Sequence, residues 1–352
     1  MKAKLTKHKN KSLHKANSIK NDEFYTHFDD IQRELNFYKD QLKGKVIYGN
    51  CDDPAESAFT DFFKLNFDYL GIKKLICTRY QKSNLFLVAD PIRQYGYRLE
   101  ITAKNKNDKK PVKINLKGDG DFRSPECIEF LEEADIIITN PPFSLFREYV
   151  SQIIQHNKKF LIIGNDNAIS YKEIFKLIKD NKVRLGYNKV KEFKKPDGTT
   201  QKFGNVGWFT NLDVKNRHED LPIFRIYKGN ERNYPKYDNY EAIEVSKVKE
   251  IPLDYKGAMG VPISFLNKYN PEQFEILGIT DRDNNSGLKT KTYTVEDVPN
   301  PGDLNSRGAI KRGNNYKSTY ARLLIKNRTH ITKNISLPFS SHVHAHNSLI
   351  FS

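Results

Sequence analysis

The chain predicts an open α/β fold built around a parallel sheet, and three observations carry that prediction. Through the first half, apolar runs of strand length alternate with segments of helical periodicity, the pattern of strand–helix–strand units. One run, Ala134 and Ile136 to Ile138 around Asp135, is apolar at consecutive positions, as in a strand buried on both faces. It ends abruptly at Asn140-Pro141-Pro142-Phe143. Neither proline has an N–H to give a neighbouring strand, and each fixes φ at about −65°. The chain therefore leaves the sheet in a stiff turn at a strand's C-terminal end, where open α/β sheets place their ligands.

The other elements follow in order. Asp29 and Asp30 stand where a helix N-cap belongs, and Ile31, Leu35, Tyr38 and Leu42 recur at helical spacing until Gly44. Lys45 to Tyr48 reads as the first strand, followed by the loop Gly49-Asn50-Cys51-Asp52-Asp53-Pro54 and a helix carrying Phe59, Phe62 and Phe63. Short β-like runs follow at Lys74–Cys77, Asn84–Ala89, Tyr97–Thr102 and Val112–Leu116. A helix over Glu126–Glu133 leads into the key strand. Beyond it come a helix from Phe146 to Ile154, a strand from Lys159 to Gly164 and a helix from Tyr171 to Lys179.

Composition bounds the partners. The 352 residues carry a net charge of +16, which points to a polyanion, with a negative membrane surface as the rival. No apolar run approaches a membrane span and no signal-peptide core follows the first residues, so a cytoplasmic protein is expected. The three cysteines, Cys51, Cys77 and Cys127, lack the spacing of a zinc site or a disulfide framework and are expected to be small buried residues. Residues 1–21 hold seven lysines and no acid, a basic arm suited to phosphates or simply to solvent. From about residue 181 basic, loop-rich stretches take over. Lys182 to Lys202 holds seven basic residues against Glu192 and Asp197, and Leu304 to Arg328 holds seven with no acid. Such a half suits nucleic-acid reading, or is a well-solvated surface. Residues 331–352 look irregular, a tail expected to be disordered, with His342, His344 and His346 in alternation.

The turn's chemistry is specific. The Asn140 side-chain carbonyl and the Pro141 backbone carbonyl are two acceptors suited to both hydrogens of an amino group, and Phe143 offers a flat face for a planar ring. An exocyclic amine on adenine fits: its lone pair is delocalised, and two fixed acceptors favour the positive charge that develops as it attacks. The bland alternative is an ordinary strand end.

These residues carry a family resemblance. Asn140-Pro141-Pro142-Phe143 resembles the catalytic motif of amino-group DNA methyltransferases that use S-adenosylmethionine, and Asp22-Glu23-Phe24-Tyr25-Thr26 resembles the Phe-Tyr-Thr element upstream of their cofactor domain. Together with Val46 to Pro54, Phe203 to Asn211 and Gly260 to Leu266, they are similar to the EcoRI-type adenine-specific methyltransferase family over roughly residues 12–326. The resemblance implies a Rossmann-like S-adenosylmethionine-dependent sheet with an appended target-recognition region, divided as 22–180 and 181–330. It implies methylation of N6 of a flipped adenine in double-stranded DNA, in restriction–modification or as an orphan modifier. A cognate endonuclease encoded nearby would fit, without a stable complex, and no metal is expected.

Carried over by position, Asn140 and Pro141 hold the amine, Pro142 stiffens the loop and Phe143 stacks the base. Phe24, Tyr25, Thr26, Gly49, Asn50 and Asp52 would lie near the cofactor. Asp119 and Asp121 would contact its adenine amine, or form a solvated turn. Two departures concern the cofactor side. The loop after the first strand has only Gly49, with two aspartates and a proline crowding in, and the second strand ends in Thr78-Arg79 with no acid. The competing readings are an RNA adenine or protein glutamine methyltransferase, a DNA-binding module without catalysis, and a metal-dependent nuclease using Glu192 and Lys194.

Overall fold

The computed structural model describes residues 25–51, 53–81, 95–108, 112–195, 198–281, 283–313 and 315–328. The basic arm 1–21, Phe24, Asp52, the run Asn84–Ala89 and the tail 331–352 lie outside the described residues. The first half begins with β1 (Tyr25–Thr26), α1 (Phe28–Leu35), β2 (Val46–Gly49), α2 (Ala58–Leu65), β3 (Lys74–Arg79), β4 (Tyr97–Thr102) and β5 (Ile114–Asn115). It continues with α3 (Pro125–Glu133), β6 (Ile136–Thr139), α4 (Phe146–Gln155), β7 (Lys159–Asn165) and α5 (Lys172–Lys179). Then come β8 (Arg184–Lys189), β9 (Glu192–Lys194), β10 (Thr200–Lys202) and β11 (Val206–Thr210).

Eight of these strands make one mixed sheet in the order β5-β4-β3-β2-β6-β7-β11-β8. The middle four, β3-β2-β6-β7, are mutually parallel, and the strands outside them join through antiparallel pairings. The consecutive isoleucines of β6 divide between two cores, as alternation across a strand requires. Ile137 packs with Tyr48, Phe160 and Ile162 under α3, α4 and α5. Ile136 and Ile138 pack with Ile47, Leu161 and Ile163 under α1 and α2. Covering both faces is what makes this strand read as a continuous apolar run.

The helical spacing at the amino end holds. Ile31, Leu35, Tyr38 and Leu42 are fully buried along α1 and two further helical turns, and Gly44 ends the run with φ +74°. The N-cap, however, is His27. Asp29 and Asp30 fall inside the first turn, where a carboxylate meets the positive end of the helix dipole. Glu34 ties α1 to the sheet's far edge: its buried carboxylate accepts the Tyr187 and Asn188 N–H groups, each at 2.8 Å, and the Tyr38 hydroxyl at 3.0 Å. Burial nonetheless pushes its pKa up.

One expectation needs correction and one observation bears on the change of composition. The run Val112–Leu116 shortens to β5, whose two residues are exposed and hold the sheet's edge. The change of composition at 181 is not the end of the sheet, because β8 and β11 are its outer strands. Every residue of β11 is buried, so it belongs to the core, while the charged residues that colour this stretch sit largely on β8, β9 and β10.

The second half adds β12 (Ala242–Glu244), β13 (Ala258–Pro262), β14 (Phe274–Ile279), β15 (Ala309–Arg312), β16 (Asn315–Ser318) and β17 (Arg322–Asn327). Four of them form a sheet in the order β12-β13-β17-β14, and β15 pairs with β16 as a hairpin. Ile243, Met259, Val261 and Phe265 share one core with α4 and α5, so the halves pack directly on each other. Inside the four-stranded sheet Glu244 is 3% exposed. Arg322 grips its carboxylate with Nη2 at 2.9 Å and Nε at 3.1 Å, and the Tyr237 hydroxyl donates to it as well. Removing one partner of such a pair leaves an uncompensated buried charge. Arg322→Met is therefore expected to destabilise the protein by about 3–5 kcal/mol, read as a lowered urea midpoint.

Candidate active site

The site forms at the C-terminal ends of the parallel strands. The β6–β7 pairing ends at Thr139 opposite Ile162, while β7 runs on to Asn165. Asn140 is 7% exposed, Pro141 is buried, and Pro142 (φ −56°, ψ 127°) turns the chain into a 3-10 turn over Phe143–Leu145. The Leu145 N–H closes that turn on the Pro142 carbonyl at 3.0 Å, and α4 starts directly after it. All four predicted catalytic positions thus lie in one strand–turn–helix connection.

Phe143 is half-buried and held edge-on by Phe193 and Phe203, each with centroids 6.4 Å away at interplanar angles of 82° and 84°. Phe193 is fully buried on β9, the middle strand of a small sheet β1-β9-β10. Thr26 of β1 stands opposite Phe193 in that sheet. Tyr25 and Thr26, far away in sequence, are thereby brought beside the Asn140–Phe143 turn. Thr26 is 4% exposed, and its hydroxyl makes no hydrogen bond among the described residues.

On the other side of the turn, Gly49 ends β2 where a Cβ would stand 3.2 Å from the Ile138 carbonyl, so glycine allows the close approach of β6. Asn50 is buried, and its Oδ1 accepts a hydrogen bond from the Tyr149 hydroxyl. Tyr149 rises from α4 and meets the Phe122 ring edge-on at 5.1 Å. That contact joins the predicted Asp119 and Asp121 loop to Asn50. The loop is latched to the end of β3: Gln81 N–H bonds the Asp119 carbonyl at 2.6 Å, and Gly120 (φ +82°) sits so close to the Arg79 carbonyl that a Cβ would collide with it.

The two aspartates of this loop differ. Asp121 is engaged by Arg123, with Nη2 at 2.6 Å and Nε at 2.8 Å, and this guanidinium holds its carboxyl below the usual range. Among the described residues, the Asp119 carboxylate accepts only the Asp121 N–H, at 3.0 Å. Near Asp52, Asp53 is likewise taken by Arg79 at 3.1 Å and by the Tyr97 hydroxyl. Asp53 therefore fixes the loop after β2, which accounts for an acid in a place where glycine is usual. Glu192 meets Lys202 across β9 and β10 at 3.2 Å, a solvated cross-strand pair with no metal-binding cluster around it among the described residues.

Sequence reasoning missed Tyr149, Phe193 and Phe203 as residues that shape the site. Tyr149 reads as one more apolar position of α4, and only its phenolic oxygen hinted at a polar partner. Phe193 stood alone in the charged run Lys191 to Lys195, so alternation over three residues was its sole signal.

Sheet and turn together make this a methyltransferase of the amino-group class. Comparison with known proteins agrees: the family described as adenine-specific methyltransferase EcoRI matches residues 12–328. The type II methyltransferase M.EcoRI of Escherichia coli is 48% identical over 342 residues, covering 91% of this chain and 97% of the relative. M.MgeORF184P of Mycoplasma genitalium is 39% identical over 89% of this chain and 98% of its own, and M.MpnI of Mycoplasma pneumoniae is 36% identical over 91% and 99%. No solved structure gives a significant match. The chain belongs to the EcoRI family of adenine-specific methyltransferases and is a type II DNA adenine methyltransferase.

The latch between the Asp119–Asp121 loop and β3 has a direct test. Gly120→Ala must displace the loop from Arg79 and adopt a left-handed conformation, at a cost of about 1–3 kcal/mol. Gly118→Ala has nothing within 4 Å of the added methyl. A fall in denaturation midpoint for the first variant and little change for the second is the expected result.

Proposed function

We propose that the chain transfers a methyl group from S-adenosylmethionine to N6 of an adenine rotated out of double-stranded DNA, as the modifying partner in restriction–modification. The observation that carries this reading is the Asn140–Phe143 turn. It sets a buried asparagine and a rigid proline carbonyl at the end of the central parallel strand, with an aromatic ring beside them.

Parallel strands covered by helices on both faces support a Rossmann-like reading of the sheet. The residues around the turn fit the donor. Thr26 brings a buried hydroxyl that lacks a hydrogen bond among the described residues, and Asn50 has its Oδ1 held by Tyr149, fixing the direction of its amide. Asp119 brings a half-buried carboxylate suited to an adenine amine or ribose hydroxyls, whereas Asp121 is spent on Arg123 and serves to hold the loop. When bound, S-adenosylmethionine supplies a methyl group already activated by its sulfonium centre.

The chain's own work is binding, orientation and charge stabilisation. Asn140 Oδ1 and the Pro141 carbonyl accept the two N6 hydrogens, draw the amine lone pair out of the ring and favour the positive charge that grows on nitrogen. No strong base is required. Phe143 stacks the extruded base, with Phe193 and Phe203 bracing its edge. Extrusion costs a few kcal/mol, and phosphate contacts from the basic arm and the second half offset it. In this reading residues beyond 210 supply most of the target recognition. A DNA substrate implies the cytoplasm. No helix among the described residues is long and apolar enough to cross a membrane.

Asn140→Ala is expected to lower methyl transfer by roughly a thousandfold or more, with cofactor affinity by calorimetry largely retained. Phe143→Ala should lose about tenfold to a hundredfold, while Phe143→Trp keeps most of the rate because it still stacks. Tritiated methyl transfer to plasmid DNA measures both, and near-normal turnover by the Asn140 variant would remove the mechanism. Expression in a methylation-free host, read by long-read sequencing, checks the product and reports the target site.

A further inference from the structure

The second half has to read a DNA sequence, and the structure sorts its basic residues into those used internally and those offered outward. Of the seven between Leu304 and Arg328, Arg322 is locked onto Glu244 and Arg328 donates Nε to the Phe274 carbonyl at 3.2 Å. Arg307 is half-buried, its guanidinium 6.0 Å from the Tyr320 ring. Lys311, Arg312, Lys317 and Lys326 are exposed and form no ion pair among the described residues. Lys326 lies on β17 in the four-stranded sheet, and the other three lie on the β15–β16 hairpin.

That hairpin is built to keep its shape. Lys311 faces Tyr316 and Arg312 faces Asn315 across the ladder, and the turn between them carries Gly313 at φ +60°. Among the described residues neither strand is paired into another sheet, although the Ala309 carbonyl at the base of β15 accepts the Asp238 N–H at 2.8 Å. Its base is fixed by Asn239, fully buried, whose Nδ2 donates to the Leu304 and Arg307 carbonyls and whose Oδ1 accepts the Ala309 N–H at 2.8 Å. Tyr316 packs on Tyr293 at 5.1 Å, and Tyr293 bonds Asp238 at 2.7 Å. A two-stranded ribbon is one of the elements the DNA major groove admits, and ordering it in advance avoids an entropic cost of binding.

We propose that this hairpin is the ribbon that enters the major groove, with Arg312 beside the turn addressing base edges and Lys311 and Lys317 neutralising phosphates. The proposal rests on the DNA reading above and deepens it by naming the residues that set specificity. Arginine can give two parallel donors to one base, and a lysine at the same place cannot.

The test compares the wild-type chain with Arg312→Ala, Arg312→Lys and Lys317→Ala, using duplexes that carry the target site and each single base-pair change within it. Arg312→Ala should lower kcat/KM on the target on the order of tenfold to a hundredfold. It should do so much less on duplexes changed at one position, so that this position becomes degenerate in the methylated motif. Arg312→Lys should not restore the preference. Lys317→Ala should weaken all duplexes alike and reduce the log–log salt slope of binding by about one. Unchanged melting temperature and cofactor affinity for these surface variants confirm that the fold is intact. A methylated motif unaltered at every position in Arg312→Ala overturns the proposal while leaving the enzyme's reading untouched. A wild-type chain that fails to methylate DNA overturns both.

Discussion

Strand β6 cannot continue past Thr139, and most of the molecule is arranged around that stop. Its backbone is paired with β2 on one side and β7 on the other, and its side chains are buried on both faces. Two prolines inside such a ladder would leave unmet partners on both neighbours, so they are tolerable only where pairing ends. Fully burying each of Ile136, Ile137 and Ile138 contributes about 1.5–3 kcal/mol, an upper figure that places the strand among the most firmly held parts of the chain. The turn inherits that rigidity. Asn140 and Pro141 are positioned by a strand that has no freedom to move, which is the condition for charge stabilisation without reorganisation.

The turn is completed by segments remote from it in sequence. Phe193 and Phe203 come from the stretch after β8, and Thr26 from before α1, yet all three meet around Phe143 through one small sheet. Residues 22–180 alone would lack two outer strands of the large sheet and the aromatic support of Phe143. The C-terminal sheet shares a core with α4, the helix that starts three residues after Phe143 and carries Tyr149 to Asn50. Among the described residues the two halves therefore form one continuous packed body.

How much of this was legible depended on whether a signal was local. The helix carrying Ile31 to Leu42, the strand Tyr97–Thr102 and the stop at Pro141 were all readable, because periodicity and proline chemistry act within a few residues. The large sheet runs on past the change of composition at 181, because composition reports exposure and edge strands of a core sheet are exposed on one side. Nothing local distinguishes Gly207-Trp208-Phe209-Thr210 in the large sheet from a patch in a second domain; only its pairing with Ile163, Ile162 and Leu161 does. The loop after β2 was hard to read for the same reason. Asp52 and Asp53 are adjacent and look interchangeable, yet Asp53 is held by Arg79 and Tyr97, residues whose proximity is a product of the fold.

The same reasoning applies to the basic residues behind the net charge of +16. The net charge already subtracts internal ion pairs, but a count of Lys and Arg overstates how many face a partner, because Lys74 is shared between Glu100 and Glu133, Lys189 meets Asp166, and Arg322 is buried against Glu244. A pair already neutralised inside the protein releases no counterion when DNA arrives, so it adds nothing to the salt dependence of binding. Exposed pairs add little to stability either, whereas the buried Glu244–Arg322 contact locks the sheet that supports the β15–β16 hairpin. Cations on the second half thus divide by burial into those that hold the fold together and those left exposed to solvent. The division cannot be drawn from sequence, since Arg312 and Arg322 stand ten residues apart in the same basic run and differ only in what folding places beside them.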